Sequence, residues 1–288
     1  MPTANGISRR LQNRSFRYPG IQTIRKFSGS TCSICHRFQY GQSPEFGSKP
    51  EQKMERRSKT GTGLIKRPTL KAIHQKLMIW FSGARRDYPW RQTQNWFHLI
   101  MAELMLRRTR SDQVASVYED FARTYKNARA ADEDRTGVQQ RLRSLGLNWR
   151  NEQIQETIQF LNHRFGSRRK LDASVELKDT PGIGDYCNAM IRSRLFQEPS
   201  PAIDSNIARI YCRLTDVEFH PEMRRKAWLK NLALEFMKTA TSAPERNDPF
   251  EINLALLDLA ALICQPRAPK CSVCPIQKHC KTAQKILP

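Results

Sequence analysis

Four cysteines near the end of the sequence have a spacing that suits a metal centre. They follow the pattern C-x6-C-x2-C-x5-C and are Cys264, Cys271, Cys274 and Cys280. Cysteine thiolates bind both iron–sulfur clusters and structural zinc. The one short and two long intervals differ from paired C-x-x-C zinc knuckles. The cysteines therefore predict one compact metal centre, and zinc remains an alternative on chemistry alone.

A second candidate site combines a tight turn with a lone carboxylate. The run Thr180-Pro181-Gly182-Ile183-Gly184 cannot lie inside a helix, because proline lacks an N–H group and glycines favour turns. Backbone N–H groups of such a turn, close to the start of the next helix, can bind a phosphate. An ordinary helix–helix turn is the alternative. Asp204 follows some twenty residues later, where it could cap a helix, perform chemistry, or do both.

A glutamate and three arginines form a third group. Glu103 lies in the run AELMLRRTR, on an expected helix from Trp96 to Leu106. Its apolar neighbours make burial plausible, and burial raises the pKa of a carboxyl group. Arg107, Arg108 and Arg110 follow, and each is equally suited to a surface contact with phosphate.

These segments together resemble a known superfamily. The pattern L-x-x-T-P-G-I-G followed by P-A-I-D resembles the helix-hairpin-helix DNA glycosylases of the endonuclease III and adenine glycosylase type. The cysteine spacing matches the [4Fe–4S] loop of the same superfamily. Tyr186 and the LRRT segment are most similar to the mismatch thymine glycosylases, which remove thymine or uracil opposite guanine. The resemblance spans roughly residues 69 to 280.

The resemblance implies a role for each group of residues. Asp204 would be the catalytic carboxylate and Glu103 would reach the base pocket. Tyr186 stands where bifunctional members carry a Schiff-base lysine, and a phenol cannot form an imine, so a monofunctional enzyme is implied. The remaining implied residues bind DNA or the cluster: Gly182, Ile183, Gly184, Arg107, Arg108, Arg110 and Lys270 would meet DNA, and the four cysteines would hold a structural [4Fe–4S] cluster.

Other functions stay open at this stage. An adenine glycosylase acting opposite guanine or 8-oxoguanine is the main alternative, although that branch has a serine at the position of Tyr186 and LQQT in place of LRRT. A bifunctional endonuclease III-like enzyme, a non-catalytic DNA-structure-binding protein and a redox iron–sulfur protein are further alternatives. Cys187 and Asn188 depart from the small or hydroxyl residues common in the superfamily, and this leaves the target base open.

The pattern of apolar residues predicts an all-α fold. Helical stripes such as Leu70, Ile73 and Leu77 recur along the chain, and no alternating strand pattern occurs. The resemblance implies two lobes: a six-helix lobe over 93–205, and a cluster lobe formed by 65–92 and 206–288. Residues 1–64 lack a sustained periodic pattern of apolar residues, and we expect a disordered basic extension there. A transit peptide, a DNA-binding arm and sequence upstream of a later start are all compatible with it.

The overall charge narrows the class of partner. The 288 residues carry a net charge of +22, which favours a polyanion such as nucleic acid. No apolar run approaches the roughly 20 residues of a membrane span. We therefore expect a monomer that binds double-stranded DNA containing a mismatched or damaged base. We expect it inside the cell and associated with DNA, in the nucleus or a mitochondrion if the source is eukaryotic.

Overall fold

The fold is a set of helices connected by short turns. The computed structural model describes residues 64–146, 148–242 and 248–287. All of them lie within one unit of the chain, Phe46–Pro288. The predicted extension over 1–64 lies outside these residues except for Leu64. No strand occurs in the described ranges, so the prediction of an all-α fold is confirmed.

Eleven α-helices occur in the described residues. They are α1 (Arg67–Ala84), α2 (Trp96–Met105), α3 (Ser111–Thr124), α4 (Ala128–Glu133), α5 (Arg135–Leu142), α6 (Asn148–Phe165), α7 (Asp185–Phe196), α8 (Ser205–Thr215), α9 (Ala227–Thr241), α10 (Pro249–Leu262) and α11 (Lys281–Ile286). Short 3-10 turns occur at Pro89–Arg91, Arg143–Leu145, Pro221–Arg225, Cys271–Val273 and Gln277–His279. No described helix is both long and apolar enough to cross a membrane.

Two apolar clusters form the interior, and one helix belongs to both. The first cluster joins α1, α8, α9 and α10, and the second joins α2 to α6. On α7, Met190 packs into the first cluster and Ile191 into the second. Tyr186, at the start of the same helix, packs against both. A side chain at this position therefore lies where the two clusters meet.

A buried ion pair fixes the loop before α2 against α10. Asp258 is fully buried, and its carboxylate accepts hydrogen bonds from Arg91 Nη1 and Nη2 at 2.8 and 2.7 Å. Arg86 adds its backbone N–H at 3.0 Å and its Nε at 2.6 Å. Burial alone would raise the pKa of Asp258, but these hydrogen bonds and charges lower it. The pair holds one wall of the cavity described next.

Candidate active site

One cavity brings together the three side chains that the sequence singled out for chemistry. It has a volume of about 290 Å³, and Glu103, Tyr186 and Asp204 all line it. Its other walls are largely apolar and aromatic, with Trp90, Met190, Phe250, Leu254 and Leu257 among them. This is close to the lower end of small-molecule pockets, roughly 300 Å³. A cavity of this size suits a single nucleobase.

Asp204 is held rigidly at the start of α8. It is the N-cap of that helix, and its Oδ1 accepts the backbone N–H of Ile207 at 2.7 Å. Its Oδ2 accepts Asn206 Nδ2, also at 2.7 Å. A carboxylate that accepts at both oxygens is in the form that can stabilise a nearby cation. The capping role considered from the sequence is present, and it leaves the half-buried carboxylate facing the cavity.

A chain of hydrogen bonds connects Asp204 to the cysteine loop. Asn206 Oδ1 accepts Arg209 Nη1 at 3.1 Å. Arg209 is buried, and it donates from Nε to the Cys264 carbonyl at 3.0 Å and from Nη2 to the Ala260 carbonyl at 3.3 Å. The position of Asp204 is therefore coupled to the first cysteine of the quartet.

Glu103 provides the second carboxyl group of the cavity. It is half-buried, and the surface it retains lines the cavity. Burial raises its pKa from 4.5 to about 8; Arg107 and Arg91 oppose this rise, and Asp204 adds to it. At neutral pH the group is mainly protonated, so it can donate a hydrogen bond or a proton to a bound base.

Tyr186 supplies a neutral hydroxyl to the same cavity. It is the second residue of α7, and burial raises its pKa well above the ordinary value, with Glu103 and Asp204 adding to the rise. The phenol therefore stays protonated over the physiological range. It offers a hydrogen bond and no amine.

The glycine turn before α7 forms a hairpin packed on other helices. Gly182 has φ +78°, and a Cβ there would lie 3.2 Å from Thr157 Oγ1 and 3.3 Å from Leu104 Cδ2. Gly184 is exposed and is the N-cap of α7. Ile183 is buried, and its N–H donates to the Thr180 carbonyl at 3.0 Å. Ile183 anchors the turn, Gly182 is half-buried and Gly184 is exposed, and contact of these residues with a phosphate stays a prediction.

The three predicted arginines have different environments. Arg107 donates from Nη2 to the Gly182 carbonyl and from Nη1 to Gln153 Oε1 at 3.1 Å. Arg108 is exposed, with φ +56°. Arg110 is 87% exposed and lies 3.7 Å from Asp112. The structure therefore leaves Arg108 and Arg110 open to a ligand and engages Arg107 internally.

The cysteine quartet converges on one cavity. Cys264, Cys271, Cys274 and Cys280 line it together with apolar side chains and Arg213. Arg213 Nη1 lies 3.2 Å from Cys264 Sγ. Within the described ranges, no three metal-binding side chains are arranged to hold a single ion. Four thiols around one cavity have the chemistry to hold either an iron–sulfur cluster or a structural zinc. Lys270 is exposed on the same loop.

Sequence reasoning missed several supporting residues. Asn206 and Arg209 hold Asp204, Arg91 holds the cavity wall, and Arg150 holds the turn after α2. Arg209 stands among the apolar residues of the I-A-R-I-Y-C run, so a charged residue on a buried face was the available signal. Arg150 had no comparable signal, because its partners in the turn after α2, the Arg107 carbonyl and Thr109 Oγ1, are 43 and 41 residues away in sequence.

The fold and the cavity together define a class. Backbone N–H groups of a glycine turn at the start of a helix can bind a phosphate, and enzymes that act on DNA bases rotate the target base out of the duplex into a pocket. These are the features of helix-hairpin-helix proteins that act on DNA bases.

Comparisons with known proteins identify the family. No protein-family model matches the chain. The thymine-DNA glycosylase of Aeropyrum pernix is 32% identical over 73% of this chain and 94% of its own length. The thymine/uracil-DNA glycosylase of Methanothermobacter thermautotrophicus is 28% identical over 75% of this chain and 95% of its own. The solved structure of a thermostable thymine-DNA glycosylase has a TM-score of 0.66 and 25% identity, and the match covers 76% of this chain and 98% of that one.

The chain therefore belongs to the helix-hairpin-helix DNA glycosylase superfamily. The predicted family and enzyme class are confirmed by these relatives. Human adenine DNA glycosylase is more distant: it is 25% identical over 75% of this chain and 40% of its own length.

The raised pKa of Glu103 predicts a pH-dependent stability. Below pH 4.5 both folded and unfolded chains carry the proton, and between 4.5 and about 8 only the folded chain keeps it. The free energy of unfolding therefore falls as pH rises through this window. We expect Glu103→Gln to lack this fall, so that its stability relative to wild type increases by roughly 2–4 kcal/mol between pH 5 and 9. Urea unfolding across this range measures the difference.

Glu156→Gln is the matched control, since Glu156 is an exposed glutamate on α6. The free energy of unfolding of this variant should change with pH in the same way as that of wild type. If Glu103→Gln also runs parallel to wild type, Glu103 ionises like an ordinary surface glutamate and the assignment of a buried acid is wrong.

Proposed function

We propose that this chain is a monofunctional DNA glycosylase that hydrolyses the N-glycosidic bond of thymine or uracil mispaired with guanine. One observation carries the proposal: Glu103, Asp204 and Tyr186 face a single base-sized cavity. The relatives named thymine or thymine/uracil glycosylases, at 28 to 32% identity, support this target. The adenine branch matches at lower identity and is the second candidate.

The proposed reaction assigns one task to each side chain. A base inside duplex DNA is inaccessible, so the nucleotide must rotate into the cavity, at least cost where it is mispaired. Breaking the bond leaves positive charge on the sugar, which the Asp204 carboxylate stabilises while it orients water. Glu103, protonated through burial, donates a hydrogen bond or proton to the departing base. Tyr186 provides a hydroxyl where a lyase needs an amine, so an intact abasic site is the product.

The proposed DNA contacts lie on the hairpin, on the turn after α2 and on the cysteine loop. The glycines of the hairpin approach the backbone, and Arg108, Arg110 and Lys270 add positive charge on exposed surfaces. Such contacts position the duplex without reading its sequence. We further propose that the chain acts as a monomer. We also propose that it acts inside the cell, in a compartment that contains DNA.

We also propose that the four cysteines hold a [4Fe–4S] cluster. The convergence of four thiols on one apolar cavity supports it. The cluster would supply a rigid cross-link rather than reaction chemistry. The loop that it stabilises carries Lys270, and the Cys264 carbonyl orients Arg209 and through it Asp204.

A panel of four labelled duplexes tests the target base. The duplexes contain thymine opposite guanine, uracil opposite guanine, adenine opposite guanine, or adenine opposite 8-oxoguanine. Each is incubated with the protein, and the reaction is then divided into one portion treated with hot alkali and one left untreated. We expect cleavage only after alkali, and fastest at the thymine or uracil mismatch. Excision mainly of adenine would contradict the thymine or uracil target and favour an adenine DNA glycosylase. Strand cleavage without alkali, with a borohydride-trapped adduct, would contradict a monofunctional enzyme.

Metal analysis of protein purified without oxygen tests the cluster. We expect about four iron and four sulfide per chain, and their loss in Cys274→Ser. Cys212→Ala is the control, because Cys212 is buried in α8 outside the quartet and this change should keep the iron. About one zinc per chain with no sulfide would contradict the cluster.

A further inference from the structure

The turn after α2 holds an arginine whose side chain points into the protein. Arg107 donates from Nη2 to the Gly182 carbonyl of the hairpin and from Nη1 to Gln153 Oε1 on α6. Both partners are uncharged, so the positive charge of Arg107 is not neutralised by a carboxylate at either hydrogen bond. The side chain thus connects three elements: the end of α2, the hairpin and α6.

The hairpin is oriented by this contact and by one other. Thr157 Oγ1 lies 2.8 Å from the Pro181 carbonyl, next to the carbonyl bound by Arg107, and 2.8 Å from the Gln153 carbonyl, so its one proton is shared between these two acceptors. Two successive hairpin carbonyls are thereby bound by side chains from the protein interior. A Cβ added at Gly182 would lie 3.3 Å from Leu104 Cδ2, on α2, so a glycine is needed for the hairpin to lie this close to that helix. The face of the hairpin available to DNA is therefore set from behind by α2 and α6.

The main chain of Arg107 is equally restrained. Arg150, which is 1% exposed, donates from Nη1 to the Arg107 carbonyl at 2.6 Å and to Thr109 Oγ1 at 2.6 Å. Its Nη2 donates to the Leu145 carbonyl at 2.7 Å. For Arg107 to swing outward, its two side-chain hydrogen bonds would have to break while Arg150 kept the backbone in place.

Arg108 has the opposite arrangement. It is exposed, its backbone is left-handed with φ +56°, and its side chain has no hydrogen bond or ion pair within the ranges that the structure describes. Adjacent arginines thus divide into one that is engaged internally and one that is free to meet a phosphate.

Arg107 also lies close enough to Glu103 to act on its charge. Arg107 stands four residues after Glu103 in the chain. The other charged or titratable groups whose interaction with Glu103 affects a pKa are Arg91 in the 3-10 turn, Asp204 before α8, and Tyr186 and Cys187 on α7. Arg107 is the larger of the two positive contributions that keep the Glu103 pKa from rising further. The same side chain that holds the hairpin therefore also affects the acid.

We propose that Arg107 is a positioning residue that couples the DNA-gripping hairpin to the acid in the cavity, and that Arg108 makes the direct contact with DNA. The proposal rests on the proposed function in one respect: the expected effect of Arg107 on the rate of excision requires glycosylase activity. Its structural content is independent of any substrate. When duplex DNA binds the hairpin, the effect is transmitted through the Gly182 carbonyl and Arg107 to α2, the helix that carries Glu103.

Three variants separate the two arginines: Arg107→Met, Arg107→Lys and Arg108→Ala. The titration of Glu103 is followed by carboxyl ¹³C NMR, with Glu103→Gln for assignment. The affinity for duplex DNA is measured at several salt concentrations, and excision from a uracil–guanine duplex under single-turnover conditions. The first two measurements need no activity, so they remain decisive even if wild type excises nothing, a result that would defeat only the proposed function.

We expect Arg107→Met to raise the Glu103 pKa by roughly 0.5–1 unit, to leave the salt dependence of DNA affinity unchanged, and to slow excision roughly tenfold or more. Arg107→Lys keeps the charge, so its titration should stay near wild type; this variant also serves if Arg107→Met fails to fold. Arg108→Ala should lower the salt slope by about one and leave the titration unchanged. An unshifted Glu103 titration in Arg107→Met, or a lowered salt slope in either Arg107 variant, would overturn the proposal.

Discussion

Two carboxyl groups, Glu103 and Asp204, share one cavity, and most of the surrounding structure fixes their positions and surroundings. Glu103 is neutral because α2 lies deep in the second apolar cluster, where burial raises its pKa to about 8. Asp204 accepts a helix N–H group and the Asn206 amide, and these two hydrogen bonds fix the carboxyl group in the cavity. A neutral acid and an anion facing one bound nucleotide are what cleavage of a glycosidic bond needs.

Buried arginines hold both groups in place. Arg209 connects the partner of Asp204 to the cysteine loop, and Arg91 fixes the cavity wall to Asp258 on α10. Arg107 and Arg150 do the same for the turn after α2. Each donates several hydrogen bonds from a planar group that stays charged, which lysine cannot do with the same geometry. Much of the excess positive charge near the site is therefore structural rather than available to DNA.

The sequence predicted those parts of the site that depend on local spacing. The glycine turn, the carboxylate after it and the cysteine quartet each lie within a short segment, and helix α2 ended within one residue of its predicted limit. The supporting hydrogen bonds could not be predicted, because Arg209 and Cys264 are 55 residues apart and Arg107 and Gly182 are 75 apart. Whether Ile183 faces DNA or the core likewise depended on how the hairpin packs on α2 and α6.

The most direct test replaces Asp204 by asparagine and follows uracil excision from a uracil–guanine duplex under single-turnover conditions. Asparagine caps helices as well as aspartate does, so the N-cap hydrogen bond and the melting temperature should be retained. The rate should fall by roughly 10²–10⁴-fold because the anion is lost. A folded Asp204→Asn protein that excises uracil at the wild-type rate would show that the carboxylate does not perform the reaction.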